Sequence, residues 1–301
     1  MNVPIHLTLV GATPDSARTA FAAVRAEVER LEGVLSDYRP NSNVARLNRR
    51  ETDVLAPETR LLLDRAQRVC HESGGAFDVS LRRLKELWGF GGGRTPQVPD
   101  SAAVRALIAH HGCDVYTLVP DGRLRWNDAQ AEIDLGGIAQ GFICERIAAI
   151  LEARDIHHFL VDVSGDIVTA GQRAGGGPWR IGVQDPRLPD SLLATVVLDA
   201  RAVTTSGDYE QFFEVSGTRY HHIFDPATGW PAPGVQSATV VADDPVAADC
   251  YAKVAFVLGP ERGLAFLESR PDLRGVIVSE PAPGRRAVQW THDLAPAHQV
   301  R

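Results

Sequence analysis

Ala131 to Phe142, Ala131-Glu132-Ile133-Asp134-Leu135-Gly136-Gly137-Ile138-Ala139-Gln140-Gly141-Phe142, decides how the middle of the chain is read. Ala131 to Leu135 reads as a short strand that runs into a glycine pair, and a helix then opens at Ile138 and extends to about Ala153. Glycines let backbone come close to a ligand, and a helix N-terminus presents unpaired N–H groups and positive partial charge to an anion. The plainer alternative is a tight strand–helix turn with Asp134 as its cap. The spacing is neither a Walker A loop nor the dinucleotide GxGxxG, so no mononucleotide motif applies.

Outward from this stretch, short strands follow one another. Phe159 to Val163 is a strand ending at Ser164-Gly165-Asp166. Trp179 to Val183, Ala194 to Leu198, Glu210 to Val215, Arg219 to Phe224 and Gln236 to Ala242 read as successive strands of a largely antiparallel sheet. A helix is expected over Val246 to Leu258 and a late strand over Gly275 to Ser279. Upstream, Val3 to Leu9 alternates like a strand. Phe21, Val24, Val28, Leu31 and Leu35 then recur at helical spacing on one face. Leu61 to Cys70 and Ala102 to Ala109 read as further helices, and Gly91 to Pro96 as a flexible loop. Helices and strands mix without a βαβ rhythm, so the fold class is α+β, with mixed, largely antiparallel sheets flanked by helices.

Composition narrows the function. The 301 residues are 44% hydrophobic and 23% charged, with net charge −7, which excludes a disordered or low-complexity chain. An acidic balance argues against nucleic acid as a partner, because phosphate neutralisation needs a basic face. No apolar run reaches the length of a membrane span, and the first residues carry neither a basic nor a long apolar region. The four cysteines, Cys70, Cys113, Cys144 and Cys250, form no CxxC pair and read as buried free thiols. A cytoplasmic protein is the expectation from these features. Lys85 and Lys253 are the only lysines among 31 basic residues, so both positions draw attention.

Two further segments carry chemistry. Ala202-Val203-Thr204-Thr205-Ser206-Gly207-Asp208 suits a phosphate-facing loop. It precedes His221-His222-Ile223-Phe224-Asp225-Pro226-Ala227-Thr228-Gly229-Trp230-Pro231. Asp-Pro-Ala-Thr-Gly is a β-turn, but adjacent histidines on a strand leave one facing in and one facing out. His222 with Asp225 is a candidate acid/base pair. In Asp249-Cys250-Tyr251-Ala252-Lys253, Asp249 and Lys253 share a helix face, and their small apolar neighbours bury it.

Taken in order, these segments resemble the ApbE-type FAD:protein FMN transferase family over nearly the whole chain. Leu35-Ser36-Asp37-Tyr38-Arg39-Pro40-Asn41-Ser42 with Arg46-Leu47-Asn48 is similar to its S-x-Y-x-P-x-S and LN segment. Ser73-Gly74-Gly75-Ala76-Phe77-Asp78 and Leu87-Trp88-Gly89-Phe90 resemble GAFD and LWGF. The Asp134, Val161, Trp179, Ala202, His222 and Ala248 segments follow in family order. The resemblance implies one ApbE-like, T-fold-like flavin-binding domain over residues 1–301. Such a domain binds FAD and uses Mg²⁺ to open its pyrophosphate. FMN passes to a threonine hydroxyl of an acceptor protein and AMP leaves.

By the same resemblance, Met1, Tyr38, Ala76, Phe77, Asp78, Asp134, Gln140 and Ile223 fall on flavin-contacting positions. Gly137, Asp249 and Lys253 fall on metal-ligand positions. Two residues depart from the family pattern. Gln140 replaces its lysine, and Lys253 replaces the threonine four residues after the metal aspartate. A protonated lysine has no lone pair to give a metal. The departures imply a second reading, a non-catalytic FAD-binding homologue or an FAD pyrophosphatase. They also imply FAD binding that is nearly independent of Mg²⁺, with slow transfer or hydrolysis.

Overall fold

Val235–Ala242 is buried at all of its positions, so both faces of this strand are covered. It lies inside a seven-stranded sheet of order Ile5–Leu9, Phe159–Val163, Asp166–Ala170, Ala202–Gly207, Val235–Ala242, Arg274–Ala282 and Arg285–Trp290. Every neighbouring pair is antiparallel. The helix Pro245–Glu268 packs on one face, against Ala202–Gly207, Val235–Ala242 and Arg274–Ala282. The other face meets a three-stranded sheet built from Arg180–Asp185, Leu188–Val197 and His298–Gln299. Trp179, Ile181, Val183, Ala194 and Val196 pack there on Val203, Val241 and Val276. Two-sided burial explains why adjacent Val240, Val241 and Ala242 are all buried and the strand shows no simple inside–outside alternation.

The computed structural model describes residues 4–91, 93–198, 201–282, 284–294 and 298–299. They form two compact units. The large sheet belongs to the first, residues 1–30, 140–207 and 234–301; the second is residues 31–139 and 208–233. Helices Asn43–Asn48, Pro57–Glu72, Arg82–Leu87 and Ser101–Ile108 make most of the second unit. Its strands are three short hairpins, Tyr116–Leu118 with Leu124–Trp126, Phe212–Val215 with Thr218–His221, and Phe224–Asp225 with Trp230–Pro231.

Trp88 centres the aromatic core of this unit. It is fully buried, its ring lies 5.0 to 6.4 Å from those of Phe213, Tyr220, Phe224 and Trp230, and its Nε1 donates to Gly229 O at 3.0 Å. Motif segments 87–90 and 222–231, far apart in sequence, are therefore packed together through one indole. Gly229 has φ 72°, and a Cβ there would lie 2.6 Å from Val104 Cγ1, so glycine is required twice over.

The α+β class and the antiparallel sheet agree with expectation. Several details do not. Ala131–Leu135 forms no strand among the described residues; Glu132 makes an isolated bridge to Leu81. The strand expected over Arg219 to Phe224 breaks after His221, where the chain leaves one hairpin for the next. Strands 180–185, 188–197 and 212–221 lie outside the main sheet, because alternation alone does not say which strands pair. Phe21 is 47% exposed although it shares the helical spacing of buried Val24, Leu31 and Leu35. Cys70 and Cys113 are joined in a disulfide across 43 residues, which corrects the free-thiol expectation for both; Cys144 and Cys250 are free and buried.

Candidate functional site

In the second unit, Asp134 organises the turn that the glycine pair forms. Asp134 Oδ1 accepts from Gly136 N at 2.7 Å, and a Cβ on Gly136 would approach that same oxygen to 3.0 Å. Its carboxylate therefore closes a local turn, while Asp134 N donates to Val79 O at 2.7 Å. This backbone bond brings the segment 73–80 beside the 134–137 turn. Oδ2 of Asp134 takes the Lys85 ammonium at 2.6 Å, and the Lys85 Nζ lies 5.6 Å from the Tyr38 ring centroid. Burial opposes ionisation of Asp134, but Lys85 outweighs it and holds the carboxyl below the usual range.

Asp37 adds a second carboxylate to this group, bonded by Arg82 Nε at 3.2 Å. Arg82 also pairs with Glu132. Burial and the neighbouring Asp134 push the Asp37 carboxyl up to about 6, against the pull of Lys85 and Arg82. Tyr38 itself is 54% exposed. It borders an open cleft of about 510 Å³ whose other walls include Phe90, Arg94, Glu210, Gln211 and Phe212. An exposed aromatic face over a lysine–carboxylate pair suits a flat, polar-edged ring.

Ala76, Phe77 and Asp78 form the turn after helix Pro57–Glu72. Asp78 Oδ1 accepts from Ser80 N and Oγ at 2.7 and 2.6 Å, and Asp78 Oδ2 bonds His111 Nδ1 at 3.0 Å. Phe77 and Ile223 are buried. His221 is buried with Nδ1 accepting from Ile223 N at 3.3 Å and Nε2 meeting Ala232 O at 3.1 Å, so its ring serves the turn. His222 is half-buried, and its Nδ1 meets Gln211 O at 3.2 Å. Asp225 accepts from Ala227 N at 2.9 Å and Thr228 Oγ1 at 3.3 Å, closing its own turn. The expected His222–Asp225 pairing gives way to this turn, because the Asp-Pro-Ala-Thr-Gly geometry places the Ala227 amide and the Thr228 hydroxyl nearer.

The first unit holds the other group. Asp249 is fully buried on helix Pro245–Glu268, which Asp244 caps through Val246 N and Ala247 N. Lys253, one turn further on, bonds Asp249 Oδ1, and Asp249 Oδ2 accepts from Gly141 N at 2.9 Å. The second bond places a carboxylate at the N-terminal end of helix Ala139–Glu152, where the helix dipole favours it. Gly141 makes this approach possible, since a Cβ there would lie 2.4 Å from Pro245 O. Burial would lower the Lys253 ammonium, but Asp249 and Asp166 outweigh it and raise it.

Asp166 completes the group. Ser164 (φ 55°) and Gly165 (φ 94°) form a two-residue turn of the type that joins tight hairpins, and Asp166 opens the returning strand opposite Thr204. Its carboxyl is pushed up to about 8 by burial and by Asp249, and its Oδ1 is buried without a hydrogen-bond partner among the described residues. Cys144 Sγ reaches Asp166 O at 3.3 Å, and burial raises its thiol. Gln140 Nε2 reaches Val163 O only at 3.5 Å.

Each expected residue thus has a place, apart from Met1, which lies outside the described residues. The structure gathers Tyr38, Asp78 and Asp134 in one unit and Asp249 with Lys253 in the other. Gly137 lies in the glycine turn of the second unit. Sequence reading missed Asp37, Arg82, His111 and Asp166. The rarity of lysine was the one signal that pointed to Lys85.

An antiparallel α+β fold with this order of motif segments defines the class of ApbE-like proteins. The comparisons agree: the ApbE family model matches residues 1–277, and the chain belongs to that family. It is 34% identical over 279 residues to the FAD:protein FMN transferase of Treponema pallidum, covering 86% of this chain and 76% of that protein. A FAD:protein FMN transferase of Klebsiella pneumoniae is 30% identical over 299 residues, covering 93% and 87%. The solved ApbE protein of Thermotoga maritima superposes with TM-score 0.86 at 31% identity, covering 96% of this chain and 94% of that one. The flavinyl transferase ApbE of Pseudomonas stutzeri gives TM-score 0.82 at 28% identity, with 97% and 95% covered.

Proposed function

We propose that this protein transfers FMN from FAD to a hydroxyl of an acceptor protein, a threonine by family resemblance, with AMP as the leaving group. The observation that carries the reading is the Tyr38 ring at the open cleft, with the Lys85–Asp134 pair beside it. The family match over residues 1–277 supports one working domain despite the two compact units. In the reaction, the acceptor oxygen forms a bond to the FMN phosphorus and the bond to the AMP oxygen breaks. The hydroxyl proton passes to a base, for which His222 is the candidate.

Magnesium is the cation expected from the resemblance, and the residues present do not fit it. Asp249 already engages an ammonium and an amide, and the lysine at the expected ligand position cannot coordinate. Lys253 supplies positive charge at that position instead, which would make it a positioning group for Asp249 rather than a ligand.

Among the described residues, no helix is long and apolar enough to cross a membrane. The Cys70–Cys113 disulfide weighs against the cytoplasmic expectation, since such bonds persist in oxidising compartments. We place the folded protein in one of these.

The test is incubation with FAD and a threonine-containing acceptor, following AMP and covalently bound flavin. Quenching of flavin fluorescence reports binding, and Tyr38→Ala weakens it by about 2- to 13-fold, the worth of an aromatic contact beyond its area. Absence of saturable FAD binding sinks the reading.

A further inference from the structure

We infer that the Cys70–Cys113 disulfide and the His111–Asp78 bond together clamp the 73–80 turn, and that flavin affinity depends on whether this disulfide is closed. The inference rests on the proposed flavin transfer, with Ala76, Phe77 and Asp78 at the flavin-contacting positions that the family resemblance implies.

The connections form a closed circuit within one unit. Cys70 O accepts from Gly75 N at 2.8 Å and from Ser73 Oγ at 3.2 Å, and Phe77 N donates to Ser73 Oγ at 3.2 Å. The first half of the turn thus hangs on Cys70. Its second half is held from the other side of the disulfide. Gly112 N donates to Ser80 Oγ at 3.0 Å, Ser80 Oγ donates to Asp78 Oδ1 at 2.6 Å, and His111 meets Asp78 Oδ2 at 3.0 Å. His111 and Gly112 immediately precede Cys113. The sulfur bridge therefore joins the two segments that grip the turn, across 43 residues of chain.

His111 is matched to a positioning role. Its Nε2 is buried with no hydrogen-bond partner among the described residues, so the bond from Nδ1 to Asp78 orients the ring. With Nδ1–H donating, Asp78 is held as an acceptor, with both oxygens engaged. Removing the covalent brace lets the 111–113 segment part from Cys70, and Ser80 and Asp78 then lose their shared frame. Ordering the turn again on binding costs affinity.

The bond can be opened chemically. Cys70 is buried, whereas Cys113 is partly exposed, so a dithiol reductant enters at the Cys113 sulfur. Its thiolate forms a mixed disulfide with Cys113 while Cys70 leaves as a thiolate and is protonated. The second thiol of the reductant then displaces Cys113 and closes the reductant's own disulfide, so two electrons and two protons end on the protein.

The experiment titrates FAD into aerobically purified protein, into the same protein after dithiothreitol, and into Cys70→Ser/Cys113→Ser. Denatured oxidised protein is expected to show two free thiols, Cys144 and Cys250, and reduced protein four. Affinity is expected to fall about 2- to 13-fold on reduction, and equally in the double variant, as for one side chain newly ordered on binding. His111→Asn, which keeps a donor near the Nδ1 position, retains affinity, whereas His111→Ala loses it with the disulfide intact. Thermal melts verify that each variant is folded. Equal affinity in oxidised and reduced protein overturns the clamp and leaves the flavin reading standing. Four thiols in the oxidised protein also overturn the clamp. An oxidised protein that does not bind FAD overturns both.

Discussion

The Lys253 ammonium is bonded to Asp249 Oδ1 one helical turn away, while Gly141 N donates to the other oxygen of the same carboxylate. This arrangement satisfies a fully buried acid entirely from within the protein. FAD binding is accordingly expected to be the same in EDTA and in millimolar magnesium, and calorimetric titration of magnesium alone should give no saturable heat. Lys253→Thr frees one Asp249 oxygen and restores a hydroxyl, so magnesium binding should appear. Lys253→Met leaves the buried charge unpaired and should cost about 3–5 kcal/mol of stability. Strong magnesium dependence of the unaltered protein, together with no change in Lys253→Thr, would refute the internal cation.

Asp166 makes stability pH-dependent. Its carboxyl titrates near 8 in the folded protein, pushed up by burial and by Asp249, and near the ordinary 3.9 when unfolded. Between those values the native state keeps a proton that the unfolded chain has released. Stability therefore falls as pH rises through this window, by up to about 1.4 kcal/mol per pH unit. Asp166→Asn removes that slope. In denaturant melts at about pH 5 and about pH 7, the variant should gain on the wild type as pH rises. Parallel pH dependences would mean that Asp166 is ionised throughout.

Much of this was legible in the chain because it is local. The Asp134-Leu135-Gly136-Gly137 turn, the helix carrying Asp249 and Lys253, and the Phe159–Val163 strand all follow from spacing and turn residues over a few positions. The scarcity of lysine singled out Lys85 and Lys253, and each is bonded to a buried or half-buried carboxylate. What stayed hidden is long-range. Cys70 and Cys113 lie 43 residues apart with no paired-cysteine spacing, and His111 meets Asp78 across 33. Asp166 looks like an ordinary hairpin residue until the fold buries it. The His222–Asp225 pairing fails for the opposite reason, since the Asp225 carboxylate is taken by the Ala227 amide and the Thr228 hydroxyl of its own turn.

Gly141 tests the packing beneath Asp249. Its missing Cβ would lie 2.4 Å from Pro245 O and 2.8 Å from Asp249 Cβ, both fixed parts of the neighbouring helix. Gly141→Ala must therefore push helices Ala139–Glu152 and Pro245–Glu268 apart, and the Gly141–Asp249 bond lengthens with them. Overpacking of this kind costs about 1–3 kcal/mol. Ordinarily alanine would stabilise an exposed helix position relative to glycine, so the sign is informative. A neutral or stabilising result in urea melts would show that the two helices have room to spare.

Under the proposed transfer reaction His222 is the candidate base, and the hydrogen bonds of the two adjacent histidines support it over His221. The adjacent His221 has both ring nitrogens engaged by backbone, with Nδ1 accepting from Ile223 N and Nε2 donating to Ala232 O. A ring held this way cannot take up a proton without breaking a bond. In His222, Nδ1 donates to Gln211 O, so the basic nitrogen of the neutral ring is Nε2, and the ring lies 6.3 Å from Phe90, which lines the cleft. His222→Ala should lower AMP formation in the presence of acceptor by about 100- to 10,000-fold, the range of general acid–base catalysis, with little change in FAD affinity. His222→Gln, which can still bond Gln211 O but cannot accept the proton at neutral pH, should be as slow as the alanine variant. His221→Ala should instead reduce stability, by about 1–3 kcal/mol for the unpaired groups it leaves. If His222→Gln keeps wild-type turnover, the ring serves only to hold Gln211 and the proton leaves by another route.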